Sequence, residues 1–226
     1  MTSVFLFDLY GTLVPAGTNE ARDAVAREVA ATIGVDGDRF AELYRSTFDA
    51  RTKGLLGDLV ETFAELARRL GGSPERAQLE RAAAIRLTFA RRLLEPRSAE
   101  GTLQELKAAG YRLGLVTDCS IETPLSWDSS WLRPYFEQVA FSCEIGLRKP
   151  DPRIYLFVTS RLNVATEECV FVGDGGSNEL SGARSLGMTA IQVDEHTSHT
   201  ADRNDEEVNW VGDSIHHLGD LIGRYV

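Results

Sequence analysis

Cysteine is scarce in this chain of 226 residues: Cys119, Cys143 and Cys169 are its only copies, odd in number and without paired spacing. Neither a disulfide framework nor a cysteine-based zinc site is expected, and a reducing compartment fits. No apolar stretch approaches the ~20 residues that span a bilayer. The opening Met-Thr-Ser-Val-Phe-Leu-Phe-Asp also lacks the basic region and cleavage site of a secretory leader. A cytoplasmic location is expected. Positive charge is short as well, with 24 Lys and Arg against 34 Asp and Glu and a net charge of −10. Such a surface repels a phosphate backbone and an anionic membrane, which argues against both as partners. An anionic small-molecule substrate would need locally placed cations, and lysine offers only Lys53, Lys107 and Lys149.

What is present is the composition of an ordinary globular chain, 43% hydrophobic and 26% charged. Its length exceeds one typical domain, so a core with a smaller inserted module is the natural expectation. Short apolar runs at Val4 to Phe7, Leu113 to Val116, Val139 to Phe141, Cys169 to Val172 and Thr189 to Val193 read as buried strands of a parallel sheet. Helical patterns at Thr102 to Ala109 and Ile154 to Leu162 alternate with them. The expected fold is α/β, a Rossmann-like three-layer parallel sheet wound by right-handed crossovers.

Residues 17–92 break the alternation. Val25-Val29-Ile33, Leu43-Tyr44-Phe48 and Leu59-Phe63-Leu66-Leu70 keep helical spacing, and no β-rich run intervenes. An all-helical insert directly after the first strand reads as a cap domain, leaving 1–16 and 93–226 as the core domain. The polar stretch Asp194 to Glu207 reads as a loop.

Ligands of such sheets bind beyond the carboxyl ends of the strands. Asp8, Thr117, Asp118 and Asp174 stand at those ends. Four pieces belong together: Asp8-Leu9-Tyr10-Gly11-Thr12-Leu13, Val116-Thr117-Asp118, Arg148-Lys149-Pro150, and Val172-Gly173-Asp174-Gly175-Gly176-Ser177-Asn178-Glu179. A positioned carboxylate is a usable nucleophile toward phosphorus or an activated carbon, which makes Asp8 the candidate. Gly11 allows a sharp turn whose N–H groups, with Thr12, can hold an anionic oxygen. Thr117 offers a hydroxyl, and Lys149 offsets negative charge. Asp174, Asp8 and a main-chain carbonyl at Tyr10 supply the hard oxygen ligands that Mg²⁺ takes. Asn178 fits a helix N-cap, and Glu179 follows it as a further candidate toward a metal.

In order on an alternating α/β chain, these pieces resemble the four motifs of the haloacid dehalogenase-like (HAD) hydrolase superfamily, from Phe5 to about Val193. The helical insert occupies the place where one branch of that superfamily carries its cap. The resemblance implies a Mg²⁺-dependent phosphatase acting on a small phosphate monoester through an aspartyl-phosphate on Asp8. Two departures bear on this. Phosphatases of the superfamily usually have a second Asp, a general acid, where this chain has Tyr10; L-2-haloacid dehalogenases have Tyr there. Dehalogenases, however, need no metal and typically have Ser-Ser-Asn where this chain has Gly173-Asp174-Gly175. Related enzymes also more often have Asp at the position of Glu179.

The alternatives are thus a metal-independent haloacid dehalogenase forming an ester on Asp8, a phosphonate hydrolase using Lys53 as a cap Schiff base, and a catalytically weak binding or regulatory module. Arg51 and Lys53, in the turn before Gly54, are the expected cap contacts to an anionic substrate. His196 and His199 read as loop residues, His216-His217 as helix surface, and Trp127, Trp131, Tyr135 and Phe136 as core. Oligomeric state is expected to be monomer or homodimer.

Overall fold

The structure, a computed structural model, describes residues 2–195 and 210–226. Six parallel strands form one sheet: β1 (Val4–Phe7), β2 (Arg112–Thr117), β3 (Gln138–Phe141), β4 (Cys169–Gly173), β5 (Thr189–Val193) and β6 (Asp213–Ile215), in the order β3-β2-β1-β4-β5-β6. This is the Rossmann arrangement, whose strand order reverses between β1 and β4. Phe7 pairs with Leu115 on one side and with Val172 on the other, so the residues following β1, β2 and β4 emerge side by side.

Strand residues alternate between two buried layers because successive side chains point to opposite faces. Phe5 and Phe7 join Leu103, Leu115 and Val172 on one face, whereas Val4 and Leu6 join Ile154, Tyr155 and Phe171 on the other. Both faces are dry, which is why β1 reads as a continuous apolar run. Trp127 and Phe136 lie inside the first layer, with Trp131 and Tyr135 packed against it.

The helical insert comprises α1 (Asn19–Ile33), α2 (Gly37–Ser46), α3 (Phe48–Thr52), α4 (Leu59–Arg69) and α5 (Arg76–Leu93). Its helices start at local signals: Thr18 Oγ1 accepts from Ala21 N–H at 3.1 Å, and Asp58 and Glu61 form a capping box. Val29, Ile33, Phe40, Phe63 and Leu66 build a third cluster of its own. Each such buried side chain contributes about 1.5–3 kcal/mol. The remaining helices are α6 (Glu100–Ala108), α7 (Glu122–Trp127), α8 (Ser142–Ile145), α9 (Pro152–Leu162), α10 (Glu179–Ser185) and α11 (Ile222–Tyr225). Among them α7, just beyond the β2 loop, packs against α5 of the insert. At Gly54 the insert comes so close that a Cβ would lie 2.1 Å from the Cys143 carbonyl oxygen, and the glycine is also at φ +69°.

Three expectations differ from the structure or fall outside it. His216 and His217 follow β6 in exposed, non-helical backbone, where His216 Nδ1 lies 2.6 Å from Asp194 Oδ1. Asn178 occupies the cap position of α10 but at φ 52°, with no side-chain capping bond. His196, His199 and most of the expected polar loop lie outside the described residues. No described helix is long and apolar enough to cross a membrane.

Candidate active site

β1 ends at Asp8, whose N–H still donates to the Val172 carbonyl at 2.9 Å and so continues the ladder by one residue. The carboxylate that follows is 5% exposed. Its Oδ2 accepts from Thr12 Oγ1 at 3.1 Å, and its Oδ1 accepts from Lys149 Nζ at 2.5 Å. Lys149 also donates to Glu179 Oε2, making one buried ammonium the bridge between two carboxylates 171 positions apart in sequence numbering. Glu179 is fully buried, and its Oε1 accepts from Gly175 N–H at 3.1 Å. Asp174 Oδ1 accepts from Gly176 N–H at 3.0 Å.

Asp8, Asp174 and Glu179 each bring one carboxylate oxygen to within 4.8 Å of the others. Three carboxylates against the single ammonium leave a formal charge of −2 in a buried place. Burial pushes the Asp8 carboxyl up to about 6, although Lys149 pulls the other way. Burial likewise carries Glu179 well above the usual range, with Lys149 again opposing and Asp8 and Asp174 adding to the rise. Burial alone would lower the Lys149 pKa, but Asp8 and Glu179 outweigh it and hold the ammonium charged. The donor set is all oxygen, and its excess charge matches a divalent hard cation. Gly11, at φ +95°, keeps one Asp174 oxygen clear: a Cβ there would lie 2.1 Å from Asp174 Oδ2.

Asp118, at the end of β2, accepts from Lys149 N–H at 3.0 Å and from Arg148 Nε at 3.3 Å. It fixes the segment that carries the lysine. Thr117 is buried, and its Oγ1 has no hydrogen-bond partner. Above these residues opens a cavity of about 440 Å³ whose far wall is the helical insert, including Tyr44, Phe48, Arg51 and Arg86.

The chain matches the haloacid dehalogenase-like hydrolase family over residues 2–187. It belongs to that family. It is 30% identical over 216 residues to a glyceraldehyde 3-phosphate phosphatase of Methanopyrus kandleri, covering 92% of this chain and 91% of that one. A phosphoserine phosphatase of Thermus thermophilus is 36% identical over 136 residues, 58% of this chain and 53% of its own. Among solved structures, an HAD phosphatase from Thermococcus onnurineus superposes with a TM-score of 0.65 at 25% identity, covering 99% of this chain and 97% of that one. The L-2-haloacid dehalogenase of Xanthobacter autotrophicus gives 0.66 at 20% identity, covering 99% and 98%, a likeness of fold.

Within this HAD-like hydrolase, Tyr10 lines the cavity but turns its hydroxyl to Thr123 Oγ1 at 3.1 Å. Burial raises its pKa far above the ordinary tyrosine value, so the phenol stays protonated. Arg51 is buried in the cavity wall, stacked 3.7 Å from the Tyr44 ring centroid. Lys53 is not in that wall; it pairs with Asp49 at 2.9 Å on the surface of the insert. Several charged groups lining the cavity went unread in the sequence, Arg86 and Glu122 among them. Arg86 of α5 bonds Glu122 of α7 at 2.7 Å, joining insert to core. Burial alone would raise the Glu122 pKa, yet Arg86 and Arg51 carry it below the usual range. Their partnership spans 36 residues and no local pattern announces it. Arg148, beside Lys149, reaches Asp49 at 3.0 Å and Ser177 Oγ at 3.2 Å.

Proposed function

We propose that this HAD-like hydrolase is a phosphoric monoester hydrolase acting on a small anionic substrate, with Asp8 as nucleophile. The observation that carries the reading is the buried cluster of three carboxylates around one lysine, with its excess of two negative charges. Ester formation on carbon needs no such excess, whereas a phosphatase needs a place for a divalent cation beside the phosphate. Mg²⁺ fits the donor set of Asp8, Asp174 and the Tyr10 main-chain carbonyl, with Glu179 as direct or water-mediated partner, and when bound it supplies charge compensation for the phosphate. The phosphatase names of the relatives support the same assignment.

An Asp8 carboxylate oxygen attacks phosphorus, the Asp8–phosphorus bond forms and the ester oxygen departs. Lys149 and the orphaned Thr117 hydroxyl hold the phosphoryl oxygens, and turn N–H groups near Gly11 and Thr12 add to them. Asp118 holds the Lys149 segment in position. Tyr10 is a poor acid because its proton is held so tightly, so the departing alkoxide takes its proton from water. Water then attacks the acyl phosphate, phosphate leaves, and the Asp8 carboxylate is restored. Residues 17–92 act as the cap that excludes bulk water, over a core of 1–16 and 93–226. The protein works in the cytoplasm as a monomer or homodimer.

Tyr10 favours a second reading, metal-independent dehalogenation of a 2-haloacid on Asp8. One experiment separates the two: hydrolysis of p-nitrophenyl phosphate with and without Mg²⁺, beside chloride release from 2-chloropropionate, for the wild type and Asp8→Asn. Mg²⁺-dependent phosphate release that falls at least ~10³-fold in Asp8→Asn, with an unchanged melting curve shape, is expected. Metal-independent chloride release with no phosphate release would overturn the proposal.

A further inference from the structure

Most positive groups around the cavity are already matched. Lys149 bonds Asp8 and Glu179, Arg148 bonds Asp118 and Asp49, Arg86 bonds Glu122, and Arg45 bonds Asp23. Arg51 is different. It is 8% exposed, its Nη1 donates to Ser120 Oγ at 2.5 Å and its Nη2 to the Tyr44 carbonyl at 3.1 Å. Both acceptors are neutral, and Nε has no hydrogen-bond partner. Among the described residues no carboxylate lies within 4.0 Å of this guanidinium. Stacking on Tyr44 at 3.7 Å recovers part of the lost hydration, but a ring face carries no net charge.

A buried charge without a counter-charge is unfavourable, and an unmade donor beside it adds to the deficit. Glu122 does not remove the imbalance, since its contact ion pair is with Arg86. Two guanidinium groups and one carboxylate leave this corner with one positive charge in excess. The same cavity that holds Asp8 holds Arg51 in its opposite wall.

We infer that Arg51 is a specificity-determining residue that binds a second anionic group: the substrate is a small phosphate monoester whose other end bears a carboxylate or a second phosphate. This deepens the phosphatase proposal and rests on it for the reacting end alone. The second anion pairs with the Arg51 guanidinium where it lines the cavity and neutralises the corner, while the first phosphate sits at Asp8. A neutral tail of the same size leaves the guanidinium as it is.

The test compares kcat/KM for 2-phosphoglycolate and 1,3-propanediol bisphosphate with that for ethyl phosphate, in the wild type, Arg51→Lys and Arg51→Met. A charge-assisted contact is worth on the order of 10- to 100-fold. The wild type is expected to favour at least one anion-tailed ester by about that factor, and the preferred tail identifies the anion. Arg51→Met should bring the ratio to within about threefold, with Arg51→Lys between the two. A wild-type ratio within about threefold for both tails overturns the inference without recourse to any variant, as does an Arg51→Met protein that keeps the full ratio. If none of these esters nor p-nitrophenyl phosphate releases phosphate, the phosphatase proposal has failed instead. Calorimetric titration of the same three compounds then decides the role of Arg51. Anion-tail affinity that disappears in Arg51→Met supports it; equal affinity for all three, or no binding of either tail, overturns it.

Discussion

At the strand ends Lys149 and Arg148 each touch two carboxylates, whereas across the cavity the insert presents Arg51 with no carboxylate of the described residues in contact with it. The first wall is over-supplied with negative charge and the second with positive charge. Both are buried, so the contrast is not one of solvent access. It teaches that the wall carrying Lys149 is assembled in advance, with its ammonium held by the protein's own carboxylates. The wall carrying Arg51, the recognition end in our proposal, holds no such contact pair for its guanidinium.

Removing the matched cation is the most severe way to break this comparison. Lys149→Met leaves Asp8 and Glu179 buried without their counter-charge, and such a loss typically costs about 3–5 kcal/mol. Urea unfolding at pH 8 checks it. The loss should shrink as pH falls toward 5. Asp8, with its carboxyl already at about 6 beside Lys149, binds a proton in the folded state at a pH where the unfolded chain does not. Folding stability from such a group therefore falls as pH rises, and a protonated carboxyl needs no lysine. A loss that is the same at pH 5 and pH 8 would show that the lysine acts through packing.

Removing the unmatched cation sharpens the contrast. Arg51→Met gives up two hydrogen bonds but also an uncompensated buried charge, so stability should change by no more than about 1 kcal/mol in either direction. A loss of the size expected for Lys149→Met would mean that the structure itself supplies a counter-charge for Arg51. The smallest effect belongs to Lys53→Met, which breaks a surface pair with Asp49. Exposed pairs of this kind contribute about 0.2–1 kcal/mol. A tenfold fall in kcat/KM in that variant would return Lys53 to the substrate side of the insert.

Much of the fold was legible because burial on both faces of a parallel sheet leaves uninterrupted apolar runs. Five strands stand where such runs occur, and the helices of the insert follow their 3.6-residue spacing. The sixth strand, Asp213–Ile215, escaped notice: it is three residues long, two of them are exposed, and it pairs only at the sheet edge. Asn178 stands at the cap position of α10 as its residue type suggested, but residue type alone does not reveal that its backbone turns left-handed at φ 52° or that its side chain makes no capping bond. The positions of Asp8, Asp118 and Asp174 just past β1, β2 and β4 were open to reading for a simple reason. Parallel pairing brings consecutive strand ends to one edge.

The sequence by itself determined the alternation of strands and helices, the helical insert, and the polar residues that stand at the carboxyl ends. Those follow from local periodicity and from the period-2 and period-3.6 geometry of the backbone. Only the tertiary structure decided that Lys149 bridges Asp8 and Glu179, that the Tyr10 hydroxyl turns to Thr123, and that Glu122 makes its contact ion pair with Arg86 and not with Arg51. Charge pairing in a buried site is set by which side chains share a few ångströms of space, and residues far apart in the chain reach that space from different elements.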